Sequence, residues 1–190
     1  SESLRRPLLA YAAIELLIGV LGLLFDPLYH AGTAWAYDSL MQSATGNGLR
    51  WTMATVLVLP QCILLGATFP LMSAGYMRLQ PASEGRVLAG LYFANSIGAA
   101  IGALAATYLL LPKVGLPGAV MTAGLLNIVV AVAVYPISKH EGADASRPAA
   151  APTPRVDARV ATPFLVLSVA ALTGATSFVY EITWVRMLSL

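Results

Sequence analysis

Long apolar stretches separated by short polar ones dominate the pattern along the chain. Five stretches are long enough to cross the hydrocarbon core of a bilayer, for which about 20 residues rising 1.5 Å each suffice. They cover roughly residues 7–25, 51–73, 87–111, 116–137 and 162–182. The pattern therefore predicts an all-α integral membrane protein with about five transmembrane helices.

The composition agrees with that prediction and narrows the function classes. Hydrophobic residues make up 58% of the chain and charged residues 11%, whereas a soluble domain carries roughly 25% charged residues. We therefore expect the partners to be the lipid bilayer, further helices of the same protein or other membrane subunits. Net charge is +2 without a basic stripe, which argues against nucleic acid.

The sequence predicts neither a cofactor nor a metal, because no Cys/His cluster is readable. No nucleophile–base pairing is readable either, so we predict no catalytic residue and rank a stand-alone membrane enzyme last.

The segment between the first two apolar stretches is more polar. Tyr37, Leu40 and Met41 fall at helical spacing, and Trp35 suits a headgroup-level position. We predict a short interfacial helix there, followed by a turn at residues 46–48.

Basic residues predict the orientation. With a cytoplasmic N-terminus, the cytoplasmic side receives all but three of the 11 basic residues, the exceptions being Arg50, Lys113 and Arg186. Because Lys and Arg accumulate in cytoplasmic loops, this orientation is expected. The interfacial helix is then extracytoplasmic.

A Pro- and Ala-rich segment, residues 139–161, is expected to be a flexible cytoplasmic linker. It would divide four transmembrane helices in residues 1–138 from a fifth in residues 162–190.

Glu15 is an acid in the middle of the first apolar stretch. A carboxylate at the bilayer centre costs about 2.5–3.5 kcal/mol on insertion scales, so it should face protein or a water-filled cavity. It is either a proton or cation site, or a neutral glutamate hydrogen-bonded between helices.

Other polar residues in the apolar stretches are candidates to line a substrate or proton pathway with Glu15. They are Gln61, Asn95, Asn127 and Glu181. For Asn95 and Asn127, hydrogen bonding between helices, worth about 1 kcal/mol, is the alternative to ligand binding.

Two prolines, Pro60 and Pro70, interrupt the second stretch. Proline removes a backbone N–H and clashes with the preceding turn, so each predicts a kink. Two kinks suit a helix that lines a cavity or moves, and a static bend that fits the neighbouring helices is the alternative.

Small residues recur every fourth position in the third stretch. They are Gly90, Ala94, Gly98, Gly102 and Ala106. A ridge without side-chain bulk lets another helix backbone approach closely, so we predict a helix-packing face.

The last stretch ends in a group of polar and aromatic residues. Tyr180 and Trp184 share a helix face, whereas Glu181 and Arg186 are too far apart around the helix for an i,i+4 ion pair. Glu181 is either at the membrane interface or in a buried polar site, depending on where the helix enters the bilayer.

Motifs follow one another in a specific order along the chain. They are Tyr11 and Glu15 in YAAIELLIG; Pro60, Gly66 to Thr68 and Pro70 in LPQCILLGATFPL; Gly85, Arg86, Leu91, Tyr92, Asn95, Gly98 and Gly102 in GRVLAGLYFANSIGAAIGAL; Pro112 and Gly115 in LLLPKVGLPG; and Gly174, Tyr180, Glu181, Trp184 and Arg186 in LTGATSFVYEITWVRMLSL. In this order they resemble the bacterial membrane proteins in which a major-facilitator-like bundle is fused to a spermidine-synthase-like domain. Ser177 and Phe178 depart from the smaller apolar residues expected there.

The resemblance implies a multi-pass protein of the bacterial inner membrane and a partial major-facilitator-like bundle. Residues 1–138 would hold the third to sixth helices of the first half, and residues 162–190 the first helix of the second half. Tyr180, Trp184 and Arg186 would belong to the motif that begins each half. The remaining helices and a soluble synthase-like domain would belong to the full-length protein.

Two functions stay open on this basis. The first is a transporter-like protein that handles a polyamine or another small cation. The second is a non-transporting scaffold or accessory subunit, packed against a larger membrane complex or anchoring a synthase-like domain. No glycine-rich nucleotide-binding turn is readable in these residues, so no aminopropyl transfer is assigned to them.

Overall fold

The structure, a computed structural model, describes residues 6–40, 46–79, 84–144 and 163–188, and within these ranges it contains helices and no strand. The helices are α1 (Pro7–Leu40), α2 (Gly46–Leu79), α3 (Glu84–Ala105), a π-helical segment (Ala106–Leu110), α4 (Leu111–Asp144) and α5 (Pro163–Leu188). The predicted all-helical fold is confirmed for this part of the chain.

Four stretches of the described chain are long and apolar enough to cross a membrane, which is compatible with a membrane protein. They are Pro7–Ala34, Thr52–Met77, Gly85–Lys139 and Pro163–Met187. The third stretch is 55 residues long, more than twice the length that one crossing needs. The predicted third and fourth transmembrane helices both lie inside it.

Close contacts between α1 and α2 show that these two helices are antiparallel. Gly75, near the end of α2, lies against Leu8 at the start of α1, and Gly32 lies against Met53 near the start of α2. The start of α1 and the end of α2 are therefore at the same end of the bundle. We call this the Arg6 end, after the residue that precedes α1.

Helix α4 is also antiparallel to α1. Gly22 of α1 lies against Gly124 of α4, and Gly19, one turn earlier, lies against Ile128, one turn later. Because Gly19, Gly22 and Gly124 have no side chains, the two backbones come close together at this level.

Helix α5 packs against both α3 and α4. It is parallel to α3, since Gly98 faces Ala171 and Gly102 faces Ala175. It is also parallel to α1, where Glu15 and Ile18 meet residues of α5 in the same order. The chain must therefore reverse direction between α3 and α4.

Gly115 lies at this reversal and is not helical. Its φ is 69° and its ψ is −172°, a backbone conformation that side-chain-bearing residues rarely adopt. The π-helical segment ends a few residues before it. We call this end of the bundle the Gly115 end.

The predicted interfacial helix does not form a separate element. α1 continues through Pro27 to Leu40, and its 34 residues rise about 51 Å, well beyond the roughly 30 Å of hydrocarbon. The predicted separate helix is therefore wrong, because a regular helix tolerates the proline without ending. The side chains of Trp35, Tyr37 and Leu40, and Met41 as a whole, lie outside the described residues.

The structure also differs from the predicted boundaries of α2 and α4, and both helices are longer than predicted. The turn predicted at residues 46–48 is wrong, since α2 begins at Gly46. Helix α4 continues past Lys139 to Asp144, so a linker would begin later than predicted. Residues 145–162 lie outside the described residues, and the flexible linker and the division of the chain at it stay predictions.

Pro60 and Pro70 both lie inside α2, which continues past each of them. Thr68 donates a hydrogen bond to the Leu65 carbonyl, and Gln61 Nε2 donates one to the Leu57 carbonyl. Side chains next to both prolines thus supply hydrogen bonds to nearby backbone, as expected where the regular ladder is interrupted.

Buried apolar side chains form two clusters, one towards each end of the bundle. The cluster at the Arg6 end contains Leu8, Tyr11, Met72, Leu91, Val130, Val134 and Val169 among others. The cluster at the Gly115 end contains Ile18, Phe25, Val120, Ala123, Val179, Tyr180 and Trp184 among others. Along α1, Glu15 falls between the two.

The small residues of α3 lie along its interface with α5. A Cβ added at Gly98 or Gly102 would collide with the backbone of Ala171 or Ala175. Gly90 lies near Leu167, Ala94 packs on the cluster at the Arg6 end, and Ala106 is buried in the cluster at the Gly115 end.

Replacing Gly98 tests this interface. We expect Gly98→Ala to destabilise the protein by about 1–3 kcal/mol, the usual effect of overpacking. Thermal unfolding in detergent, followed by circular dichroism, measures the change. The matched control is Gly66→Ala, because a Cβ at Gly66 meets open space. Equal midpoints for the two variants would contradict the close α3–α5 approach.

Candidate functional site

Three buried polar side chains connect α1 to α5. Tyr11 and Glu15 lie one turn apart on the same face of α1, and both are fully buried. The Tyr11 hydroxyl is 2.6 Å from Thr173 Oγ1, which is 3.2 Å from Glu15 Oε1. One α5 hydroxyl thus joins two α1 side chains.

The direction of these hydrogen bonds follows from the chemistry of threonine. Thr173 has one hydroxyl hydrogen, which it donates to Glu15 Oε1. Tyr11 must then be the donor to Thr173. We call this series, from Tyr11 through Thr173 to Glu15, the polar relay.

The backbone next to the relay is also hydrogen-bonded to side chains. The Thr173 carbonyl accepts hydrogen bonds from Thr176 at 3.0 Å and from Ser177 at 2.9 Å. Hydroxyl side chains commonly bond to backbone carbonyls three or four residues earlier in a helix.

The relay leaves one carboxylate oxygen without a partner. Glu15 Oε2 is buried and has no hydrogen-bond partner among the described residues. The same holds for both amide atoms of Asn127 on α4, which is fully buried. A buried polar group without a partner costs about 1–3 kcal/mol, so such groups call for an explanation.

Helix packing brings these unpartnered groups to similar depth in the bundle. Asn127 precedes Ile128, which contacts Gly19, and Gly19 lies one turn after Glu15 on the same face of α1. Carboxylate and amide oxygens are acceptors, and the Asn127 amide nitrogen is a donor.

Aromatic side chains cover the relay towards the Gly115 end. The Tyr180 hydroxyl donates to the Ile18 carbonyl at 3.4 Å, and its ring lies against Gly22. The Trp184 ring stacks on Tyr180 with centroids 5.1 Å apart and lies 6.3 Å from Phe25. Trp184 Nε1 is buried without a hydrogen-bond partner among the described residues.

A small cavity lies on the other side of the relay, towards the Arg6 end. Its volume is about 20 Å³, and Tyr11, Tyr76 and apolar side chains line it. A cavity with so apolar a lining is expected to stay dry. The relay therefore lies between a small cavity and an aromatic layer.

The other predicted pathway residues lie elsewhere. Gln61 is buried on α2 with Oε1 unpartnered among the described residues. Asn95 is half-buried against Gly174 of α5. Glu181 is exposed on α5, as is Arg186, so neither belongs to the buried cluster around Glu15.

No group of three or more His, Cys, Asp or Glu side chains that could hold a metal ion occurs among the described residues. The polar relay has a single carboxylate, supported by hydroxyls and near an amide. This donor set suits an organic cation or a proton better than a divalent metal, which prefers several oxygen or nitrogen ligands.

Thr173, the α5 member of the polar relay, is not among the residues predicted from the sequence. Its signal is nevertheless present, since Thr173, Thr176, Ser177 and Tyr180 repeat at three- and four-residue spacing within an apolar helix. Such a polar stripe indicates a helix face turned away from lipid.

The chain is similar to curated polyamine aminopropyltransferases from Mycobacterium tuberculosis strains CDC 1551 and H37Rv and from Mycobacterium bovis. Each is 32% identical to it over 134 residues, which is 66% of this chain and 24% of the relative. The chain thus matches about a quarter of the length of these relatives. No model of a known protein family matches the chain, and no solved structure matches it significantly.

The names of these relatives refer to polyamine chemistry. The family that the motifs resemble includes a spermidine-synthase-like domain. Spermidine synthases are aminopropyltransferases, as the matched relatives are named, so the resemblance and the comparison agree on this point. The major-facilitator-like bundle is indicated by the sequence motifs alone.

Replacing Thr173 tests the polar relay. Thr173→Val keeps the side-chain shape but leaves the Tyr11 hydroxyl and Glu15 Oε1 without their shared partner. We expect a loss of about 1–2 kcal/mol in stability, measured by thermal unfolding in detergent. The control is Thr52→Val, because Thr52 is exposed and bonds to the Gly48 carbonyl. A Thr173 variant as stable as the control would contradict the relay.

Proposed function

We propose that the chain is the membrane-embedded part of a transporter-like protein of the fused major-facilitator-like and spermidine-synthase-like family, and that it handles a polyamine or another small cation. The observation that carries the proposal is the buried Glu15 carboxylate, whose Oε2 atom has no partner among the described residues. A helix bundle that serves as an anchor needs no such group.

The depth of Glu15 suits a transport site. Glu15 is eight positions after the start of α1, so it lies about 12 Å along the helix, near the middle of a hydrocarbon core of about 30 Å. Secondary transporters bind their substrates near the bilayer midplane. An ionisable residue at that depth is by default a candidate for a substrate or proton pathway.

The chemistry around Glu15 suits an ammonium group. Glu15 Oε2, unpartnered among the described residues, is free to accept a hydrogen bond, and a charge-assisted hydrogen bond is about twice as strong as a neutral one. Tyr11 and Thr173 hold the other oxygen and so orient the carboxylate. Asn95 and Gln61 would line the path further along, on α3 and α2.

The comparisons support a polyamine as the cation. The similar proteins are named as polyamine aminopropyltransferases. A membrane protein that carries such a domain elsewhere in its chain would bring polyamine binding and polyamine chemistry into one molecule.

A membrane anchor for a synthase-like domain is the second proposal. It is favoured by the coverage of the comparison, since about three quarters of each relative lies outside the matched region. The two functions differ in what Glu15 does, because an anchor would keep its function when Glu15 is replaced.

We also propose that the stretch from α3 to α4 crosses the membrane twice and that the Arg6 end is cytoplasmic. The reversal at Gly115 supports two crossings, and the basic residues Arg6, Arg86 and Lys139 at the Arg6 end support the orientation. The protein would then cross the bacterial inner membrane five times in these residues.

Cysteine labelling tests this topology. In a Cys62→Ser background we expect Lys113→Cys to react with a membrane-impermeant maleimide on intact cells, because Lys113 lies at the Gly115 end. Arg86→Cys and Lys139→Cys should react only after the cells are permeabilised. All three side chains are exposed. Labelling of Arg86→Cys on intact cells would contradict the orientation, and protection of Lys113→Cys would contradict two crossings.

Replacing Glu15 tests transport. We expect Glu15→Gln to lower the uptake of radiolabelled 1,4-diaminobutane into proteoliposomes at least tenfold, because the amide cannot balance a cation. The assay uses the whole protein, and size-exclusion chromatography checks that the variant still folds.

The matched control is Glu181→Gln, since Glu181 is an exposed acid outside the buried cluster. It should transport like the wild type. Uptake that Glu15→Gln leaves intact would favour the anchor.

A further inference from the structure

An open pocket of about 210 Å³ lies at the Gly115 end of the bundle, apart from the polar relay. α1 contributes Phe25, Asp26, Tyr29 and His30 to its lining, and α4 contributes Leu116 and Pro117. The residues from α4 directly follow Gly115, so the chain reversal there forms one wall. A pocket of this size has room for several water-sized groups.

The lining combines one carboxylate with aromatic rings. Asp26 is about one third exposed (35%) and contributes the negative charge, and no Lys or Arg is among the described residues that line the pocket. Phe25 and Tyr29 supply the aromatic surface. A carboxylate beside aromatic rings is the combination that binds organic ammonium ions, through a charge-assisted hydrogen bond and cation–π contacts.

Asp26 forms only a weak ion pair with its present partner, His30. His30 Nε2 lies 3.5 Å from Asp26 Oδ1 one turn along α1, and His30 is largely exposed (71%). Exposed ion pairs at this spacing contribute little. A ligand ammonium can therefore replace His30 at little cost, and the Tyr29 ring, in edge contact with His30, is already beside it.

We propose that this pocket is a second binding site, for a short alkyl diamine or a similar organic cation. Asp26 is the counter-ion, and Phe25 and Tyr29 contact the alkyl chain and the second ammonium group. The inference extends the proposed function and rests on it for one point, namely that the ligand is an amine.

The position of the pocket suits a site where the cation first binds before it reaches Glu15. Asp26 lies about 16 Å along α1 from Glu15, and the layer of Phe25, Trp184 and Tyr180 lies between them. A cation held at Asp26 is therefore at the outer side of the aromatic layer that covers the relay.

The experiment measures binding of 1,4-diaminobutane by isothermal titration calorimetry to the whole protein in detergent. It is done in the Glu15→Gln background, so that binding at the relay does not contribute. We expect one diamine site in addition to any site on a synthase-like domain. We expect Asp26→Asn to weaken the affinity of this additional site at least tenfold and Tyr29→Ala about fivefold. Asp26→Glu should restore most of the affinity.

Two controls separate the site from general effects. Tyr108→Ala removes an exposed tyrosine in the π-helical segment, outside the pocket lining, and should bind as tightly as its parent. The uncharged analogue 1,4-butanediol should not bind. Equal affinity with and without Asp26→Asn, or equal binding of the diol, would overturn the proposal.

The result is independent of the transport assay. Loss of diamine binding on Asp26→Asn in the Glu15→Gln background supports the pocket even where Glu15→Gln leaves uptake intact. The reverse outcome, an effect of Glu15→Gln on uptake without binding that depends on Asp26, removes the pocket and keeps the transport site.

Discussion

The exclusion of water from the middle of the bundle is the constraint on which the polar interactions depend. Glu15 lies between two apolar clusters, so the partners of its carboxylate must come from neighbouring helices. Thr173 supplies one of them and at the same time engages Tyr11. The relative position of α1 and α5 is therefore coupled to the hydrogen bonding of one acid, because sliding either helix by one turn would move Thr173 out of its bridging position between Tyr11 and Glu15.

The helices are spaced in two ways, and both follow from side-chain size. Glycines bring α1 close to α4 and α3 close to α5, with backbone nearly against backbone. Between α1 and α5, by contrast, tyrosine side chains reach across from each helix to the other. Gly22 leaves the room that the Tyr180 ring occupies. The wider gap is where the polar groups lie, and the glycine contacts on either side hold it at a constant width.

The sequence predicted the helices, the small-residue face of α3 and the candidate status of Glu15, since each depends on local pattern. It did not identify Thr173, because a partner on another helix depends on packing that is not visible in one helix alone. It left Glu181 and Glu15 as equal candidates, although one is exposed and the other buried. Helices that are apolar on nearly all sides give little indication of which face turns inward.

The boundaries were less predictable for a related reason. The more polar segment after the first apolar stretch suggested that α1 ends near the membrane surface, yet α1 continues through Pro27 to Leu40. A proline removes one backbone hydrogen bond, and the rest of the ladder can continue past it. Local polarity marks where a helix leaves the apolar medium, which is a different position from where the helix ends.

The single hydrogen of the Thr173 hydroxyl has a consequence for how the bundle can respond to charge. While Thr173 gives that hydrogen to Glu15, Tyr11 must give its own to Thr173. If Glu15 takes up a proton on Oε1 and becomes a donor, Thr173 is free to turn its hydrogen towards Tyr11, and both hydrogen bonds of the relay reverse direction. A change of charge on Glu15 would thus change the direction of the hydrogen bond at Tyr11, one helical turn away beside the small cavity. The O–H bonds would rotate, and neither helix would be displaced.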